Sequence, residues 1–100
     1  MKISELQVGM RRVNIVGRVI EKSEEREVFS RFDGKPHRVA TAIIEDDSGS
    51  IPLSLWDDKI DMVNVNDVIR IENGYVTSFR GRPQLNIGRY GKLKVEQSEI

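Results

Sequence analysis

A chain of 100 residues with 16 basic and 16 acidic side chains, one histidine and no cysteine makes one small domain, able to build a modest core without disulfides or a metal. Its formal charge of zero argues against a nonspecific polycation, and the lack of cysteine excludes a disulfide framework or a zinc cluster. No apolar run approaches the roughly 20 residues of a membrane span, and Met1-Lys2-Ile3-Ser4-Glu5 lacks the apolar stretch of a signal peptide, so a soluble, unprocessed, intracellular chain is expected.

At the front, Ile3 and Leu6 flank Ser4, with Gln7 three residues after it as a weak capping box, which predicts a short turn plugging one end of the core. Met10 to Lys22 carries Val13, Ile15 and Val19 at even spacing and reads as a long strand that bends at Gly17. Residues 23–37 are polar and hold an Asp33-Gly34 turn signal; they form a long excursion, in part a hairpin extension. Arg38 to Asp47 returns as a β-branched strand, and Asp46-Asp47-Ser48-Gly49-Ser50 is a tight turn.

The next strand is Ile51-Pro52-Leu53-Ser54-Leu55-Trp56. Ile51, Leu53 and Leu55 share one face of it, so Trp56, the only tryptophan, points to the other. Asp57, an acidic N-cap candidate, then opens one or two helical turns with Ile60 and Val63 at helical spacing. Asp67 to Phe79 is strand again and contains a conflict of phase. Ile69 and Ile71 belong inward, yet the same parity would also put Tyr75 and Phe79 inward. A β-bulge at Asn73-Gly74 shifts the phase by one, so that Val76 continues the core face while Tyr75, Thr77 and Phe79 turn outward; a type I′ hairpin turn at the same dipeptide is locally as good. Arg80-Gly81-Arg82-Pro83 is a turn, and Gln84 to Tyr90 a last strand with Leu85 and Ile87 inward. Residues 96–100 are expected to form a flexible tail.

Strand, long loop, strand, strand, short helix, strand, strand is the order of the OB-fold, an all-β, five-stranded Greek-key barrel with a short helix between strands 3 and 4. Three outward rings, Trp56, Tyr75 and Phe79, suggest a platform on which unpaired bases stack. Charge is unevenly spread: Arg80, Arg82, Arg89, Lys92 and Lys94 lie in a stretch without acids, whereas eight acids face two bases between Glu45 and Glu72. A local positive stripe of this kind binds phosphate on a neutral protein, because the Debye length is about 8 Å at physiological salt.

The stretches Asp46–Asp58 and Ile69–Gly81, followed by Gln84-Leu85-Asn86, resemble the single-OB single-stranded DNA-binding proteins of the crenarchaeal type and the related small metazoan proteins of DNA repair. They are also similar to the OB modules of archaeal replication protein A. The resemblance spans roughly residues 3–95. It implies base stacking by Trp56, Tyr75 and Phe79 and a phosphate contact by Arg80. Asn86 stands where the metazoan members carry another ring, with Tyr90 nearby in sequence. The long Gly-rich, acidic-ended tail of the crenarchaeal proteins has no counterpart before Ile100.

Each signal has a plainer alternative. Trp56 could close a barrel end, and Tyr75 and Phe79 could be cross-strand packing partners. Phe29 and Phe32 more often fold back on a barrel than contact a base, although Phe32 is kept as a candidate. Arg31, Lys35 and Arg38 flank them as phosphate candidates, joined by Arg82 in the last turn. Arg89, Lys92 and Lys94 suit either phosphate or a charged edge strand. His37 is expected as a turn or surface histidine. The acids sit at turn and cap positions with no nucleophile, base or Gly-rich phosphate loop, so no catalysis, metal or cofactor is expected. The expected function is sequence-tolerant binding of single-stranded DNA in replication, recombination or repair, by a monomer in the cytoplasm or nucleoid, with repair or replication proteins as partners and no membrane. The alternatives are an RNA-binding OB module and a protein-interaction subunit using the same face.

Overall fold

The computed structural model describes residues 1–98 and contains a 3-10 turn, Ile3–Glu5, six strands and one helix. The strands are β1 (Arg11–Lys22), β2 (Arg26–Phe29), β3 (Pro36–Asp46), β4 (Gly49–Trp56), β5 (Val68–Phe79) and β6 (Arg82–Gln97), with α1 (Asp58–Met62) between β4 and β5. Hydrogen bonding runs β1-β5-β6-β4-β3 and closes through a second pairing of β1 with β3. Five strands therefore form a closed barrel. The sixth, β2, pairs only with β3, from Arg26 opposite Val39 to Phe29 opposite Pro36. It is the hairpin extension foreseen in the polar excursion, projecting from the barrel wall.

One strand serves two neighbours because of Gly17. Residues Arg11–Arg18 of β1 pair with β5, and Arg18–Lys22 pair with β3. At the changeover a Cβ on Gly17 would lie 3.0 Å from the Glu45 carbonyl oxygen and 3.4 Å from the Ile44 Cβ. Only a residue without a side chain lets the two strands approach so closely.

Alternation then fills the interior. Val13, Ile15 and Val19 of β1, Ile44 of β3, Leu53 and Leu55 of β4, Ile69 and Ile71 of β5 and Leu85 of β6 are all at most 2% exposed. Each such side chain contributes about 1.5–3 kcal/mol through burial. Ile60 and Val63 press the helical turn against one end of the barrel. The Lys22 ammonium donates to the carbonyls of Ile60 (2.6 Å) and Val63 (2.8 Å), satisfying groups at the helix C-terminus.

The phase conflict in β5 is resolved by a bulge. The strand runs unbroken through Asn73, which takes a φ of 56°, and Val13 and Ile15 of β1 pair with Gly74 and Ile71, one residue out of step. Gly74 and Val76 thus continue the buried face. No hairpin turn forms there.

Four local expectations need correction. The N-terminal turn is capped two residues earlier than Ser4, by the Lys2 N–H donating to the Glu5 carboxylate at 2.7 Å, while Ser4 itself donates its N–H to Ser48 Oγ. The Asp57 side chain does not cap α1; its oxygens are taken by His37 and the Arg38 N–H. β6 does not stop at Tyr90 but continues to Gln97, pairing with the first half of β5. Of the expected tail, Glu96 and Gln97 belong to this strand, and residues 99 and 100 lie outside the described residues.

Candidate nucleic-acid interface

Two strands, β4 and β5, carry the outward rings, with β6 hydrogen-bonded between them. Tyr75 of β5 is paired with Asn86 of β6, and Asn86 with Ser54 of β4 across a parallel pairing. Trp56 lies two residues beyond Ser54, in the direction in which β6 runs from Asn86 to Gly88. Tyr75 leans the same way, because a Cβ on Gly88 would lie 3.0 Å from its Cε1. Gly88 thus provides the floor for the Tyr75 ring. Phe79 lies four residues along β5 in the other direction, paired with Arg82, about 13 Å from Tyr75 at strand spacing. The exposures are 43% for Trp56, 39% for Tyr75 and 49% for Phe79. Each ring is therefore held on one side and open on the other, the condition for stacking on a ligand.

Between them the surface is polar and ordered. Asn86 is half-buried and donates from Nδ2 to Thr77 Oγ1 at 2.9 Å and to the Gln84 carbonyl at 3.1 Å. Both amide hydrogens are thereby committed, leaving its carbonyl oxygen as an acceptor on the face. Beyond Phe79 the chain reverses through Arg80 and Gly81, with φ values of 53° and 78°, the positive pair a two-residue hairpin requires. The Arg80 guanidinium lies over the Phe79 ring, 5.2 Å from its centroid, close enough for a cation–π contact. Arg82 is exposed at the start of β6.

The β2–β3 hairpin builds a second wall beside Trp56. Val28, Phe29, Arg31, Phe32 and His37 line an open cleft of about 440 Å³ with Trp56. Contrary to expectation, Phe29 and Phe32 do not fold back on the barrel: both rings are exposed. Arg31 and Lys35 are exposed in the connecting loop.

His37 joins this hairpin to the end of β4. Its Nδ1 lies 2.9 Å from an Asp57 carboxylate oxygen and its Nε2 3.1 Å from one of Asp33. The hydrogen bond to Asp57, then that to Asp33, raise its pKa above the ordinary histidine value. Asp57 is lowered by the Arg38 N–H, then by His37, and Asp33 by the Lys35 N–H, then by His37. The expected surface histidine is thus a bridge between two carboxylates, set by the residue next to Trp56. Sequence spacing hid it, because Asp57 and His37 meet only once β3 and β4 pair.

Arg38 is engaged nearby. Its guanidinium donates to Glu25 at 3.1 Å and to Asp61 at 2.9 Å, bracing the root of the hairpin against α1. Lys94 forms an ion pair with Glu72 at 3.7 Å, whereas Arg80, Arg82, Arg31 and Lys35 have no ion-pair partner among the described residues. Among those residues, no group of three or more His, Cys, Asp or Glu could hold a metal ion, and no helix is long and apolar enough to cross a membrane.

Comparison with known proteins agrees with this architecture. The Replication factor A of Methanothermobacter thermautotrophicus is 40% identical over 99 residues, covering 93% of this chain and 12% of that protein. The single-stranded DNA binding protein Ssb of Saccharolobus solfataricus is 34% identical over 98 residues, covering 98% of this chain and 64% of that protein. The chain therefore spans a small part of the first relative and just under two thirds of the second. Among solved structures, the OB domain of Ta0387 from Thermoplasma acidophilum superposes with a TM-score of 0.82 at 26% identity, over 100% of this chain and 89% of that one. The replication factor A related protein from Methanobacterium thermoautotrophicum gives 0.78 at 28% identity, over 95% and 88%. The family described as single-stranded DNA binding protein Ssb-like, OB fold, matches residues 3–95. A closed five-stranded barrel, a helical turn before its fourth strand and this match over nearly the whole chain place the protein in the Ssb-like OB-fold family of single-stranded DNA-binding proteins.

Proposed function

We propose that this domain binds single-stranded DNA without marked sequence preference, stacking bases on Trp56, Tyr75 and Phe79. Arg80 and Arg82 take phosphates at the Phe79 end, and Arg31 and Lys35 do so from the hairpin beside Trp56. Phe32 offers a further ring at the hairpin tip, Asn86 a polar contact between platforms, and Arg38 acts as a brace for the hairpin. The observation that carries this reading is the presence of three half-open rings on one outward face of the barrel. Any base has a π-face, so stacking of this kind tolerates sequence, at about 1–3 kcal/mol per base. The role is binding rather than catalysis, inside the cell, in DNA replication, recombination or repair, by a monomer that recruits other proteins of those processes.

Trp56 reports on its own contact. Titration of its fluorescence with oligo-dT, oligo-rU and a duplex of equal length, at low and moderate salt, tests the proposal. Strong quenching by oligo-dT that largely survives salt, with little response to duplex, is the expected result. A preference for oligo-rU would replace DNA by RNA as the ligand. Absence of quenching by all three would refute nucleic-acid stacking and point to a protein partner on the aromatic face.

A further inference from the structure

Beside Tyr75, on the side away from β4, three strands leave regular pairing at the same place. β1 bulges at Arg12, which takes a φ of 55°, and β5 bulges at Asn73. β6 passes from Ile87, opposite Gly74, to Lys92, opposite Glu72, and spends Gly88-Arg89-Tyr90-Gly91 against Asn73 alone. That segment is drawn tight by its glycines. A Cβ on Gly91 would lie 2.8 Å from Ile87 Cγ2 and 3.2 Å from the Asn73 carbonyl oxygen, so no other residue fits without displacement.

The result is an open cleft of about 440 Å³ lined by Arg11, Arg12, Asn73, Tyr75, Arg89 and Tyr90. Tyr90 stands 79% exposed. None of the three arginines has an ion-pair partner among the described residues, in a chain where Arg38 and Arg70 are both paired with glutamates. Bulges re-aim side chains. Here they collect three unneutralised guanidinium groups and an exposed ring around one hollow, which suits a phosphate with a base beside it. Tyr75, leaning over Gly88, stands between this cleft and Trp56.

We propose that a single strand stacked on Trp56 and Tyr75 continues into this cleft, where Arg11, Arg12 and Arg89 hold its phosphates and Tyr90 stacks on a further base. The proposal rests on the single-strand reading above and adds a second length of track to it. Asn14 secures the geometry by accepting the Asn73 N–H at 3.1 Å, so the hollow is built before any ligand arrives.

The test uses oligo-dT of about 4 and about 15 nucleotides, bracketing the span of one OB domain. Anisotropy gives affinity and Trp56 fluorescence gives contact at the aromatic face. The variants are Arg12→Asn with Arg89→Ala, asparagine being chosen because it tolerates positive φ, and separately Tyr90→Ala. All these side chains are exposed, and circular dichroism checks the fold. On the longer oligonucleotide the double variant should lose about tenfold or more in affinity, and its log–log salt slope should shrink by about 1.4, for two phosphate contacts. Tyr90→Ala should lose about fivefold or more there with the slope unchanged. The short oligonucleotide should bind all variants alike and quench Trp56 as in the parent. Trp56 quenching with long-oligonucleotide affinity and slope unchanged in the variants would overturn the cleft while leaving the aromatic platform intact. Equal weakening at both lengths would overturn it in favour of a general charge effect. Absence of quenching in the parent would remove both proposals.

Discussion

Replacing Trp56 by alanine separates stacking from charge and from stability. The ring is 43% exposed, so a little over half of it already lies against the protein. Taking about 250 Å² for a fully covered indole leaves about 140 Å² covered, or about 3.5 kcal/mol at ~25 cal/mol/Å², an upper bound because unfolded chains cover part of the same surface. The fully buried side chains of the barrel face the other way, so the fold should survive. Binding should lose one platform, about 1–3 kcal/mol, which is roughly 5- to 150-fold in Kd. With its only tryptophan gone, the variant needs a labelled oligo-dT followed by anisotropy, with thermal unfolding in parallel. The salt slope should not change, because the ring neutralises no phosphate. A folded variant that binds within twofold of the parent would refute the stacking assignment, and a flattened slope would show that Trp56 acts through the charges around it.

Arg80→Asn should leave stability nearly unchanged, since relief of positive φ in the turn, about 0.5–1 kcal/mol, offsets the lost contact with Phe79 of similar size; single-strand binding should nevertheless weaken, with the salt slope falling by about 0.7. Gly17→Val should destabilise by about 1–3 kcal/mol in urea unfolding, because its Cβ meets the Glu45 carbonyl oxygen at 3.0 Å. His37 has its pKa raised by Asp57 and Asp33, so its bridge is fully present below about pH 6.5 and is lost as pH rises through the higher folded value; Trp56 emission of the free protein should follow that transition, and His37→Gln should abolish it. Burial alone would raise the Asp46 carboxyl, but hydrogen bonds from the Ser48 hydroxyl and from the N–H groups of Ile3, Ser48 and Gly49 outweigh it and hold it at about 2. Its contribution is therefore present above about pH 4 and lost as pH falls through 2, and Asp46→Ala should cost on the order of 1–2 kcal/mol at pH 7 in denaturant titration.

The barrel was legible because its strands alternate strictly. Val13, Ile15, Leu53, Leu55, Ile69 and Ile71 announce one face each, and the break in that rhythm at Asn73-Gly74 is readable as a bulge because Tyr75 and Phe79 have to go somewhere other than the core. Contacts made by pairing were not legible. The His37 bridge needs β3 against β4, and Asp57 gave up its capping role to a neighbour 20 residues away. Phe29 and Phe32 stay exposed because β2 is attached to the barrel through β3 alone, so no second surface lies above them. The far half of β6 is hidden for a related reason: the expected strand stops at Tyr90, yet Gly88 and Gly91 let the chain fold tight against Asn73 and resume pairing at Lys92.

Zero net charge and phosphate binding are compatible because the charges are sorted by pairing rather than by number. Asp33 and Asp57 are bridged by His37, Glu25 and Asp61 hold Arg38, Glu96 holds Arg70, Glu72 holds Lys94 and Asp47 holds Lys2. The exposed cations around the aromatic face, Arg11, Arg12, Arg31, Lys35, Arg80, Arg82 and Arg89, lack such partners among the described residues. With a Debye length of about 8 Å, a strand on that face responds to these groups and not to the sum over the chain. Seven cations set a ceiling of about 5 on the magnitude of the log–log salt slope for single-strand binding. If binding persists at high salt well beyond what that slope allows, the residual affinity belongs to the rings. A steeper slope would require cations from elsewhere on the protein, and with them a longer path for the strand than the aromatic face and its two flanking clefts provide.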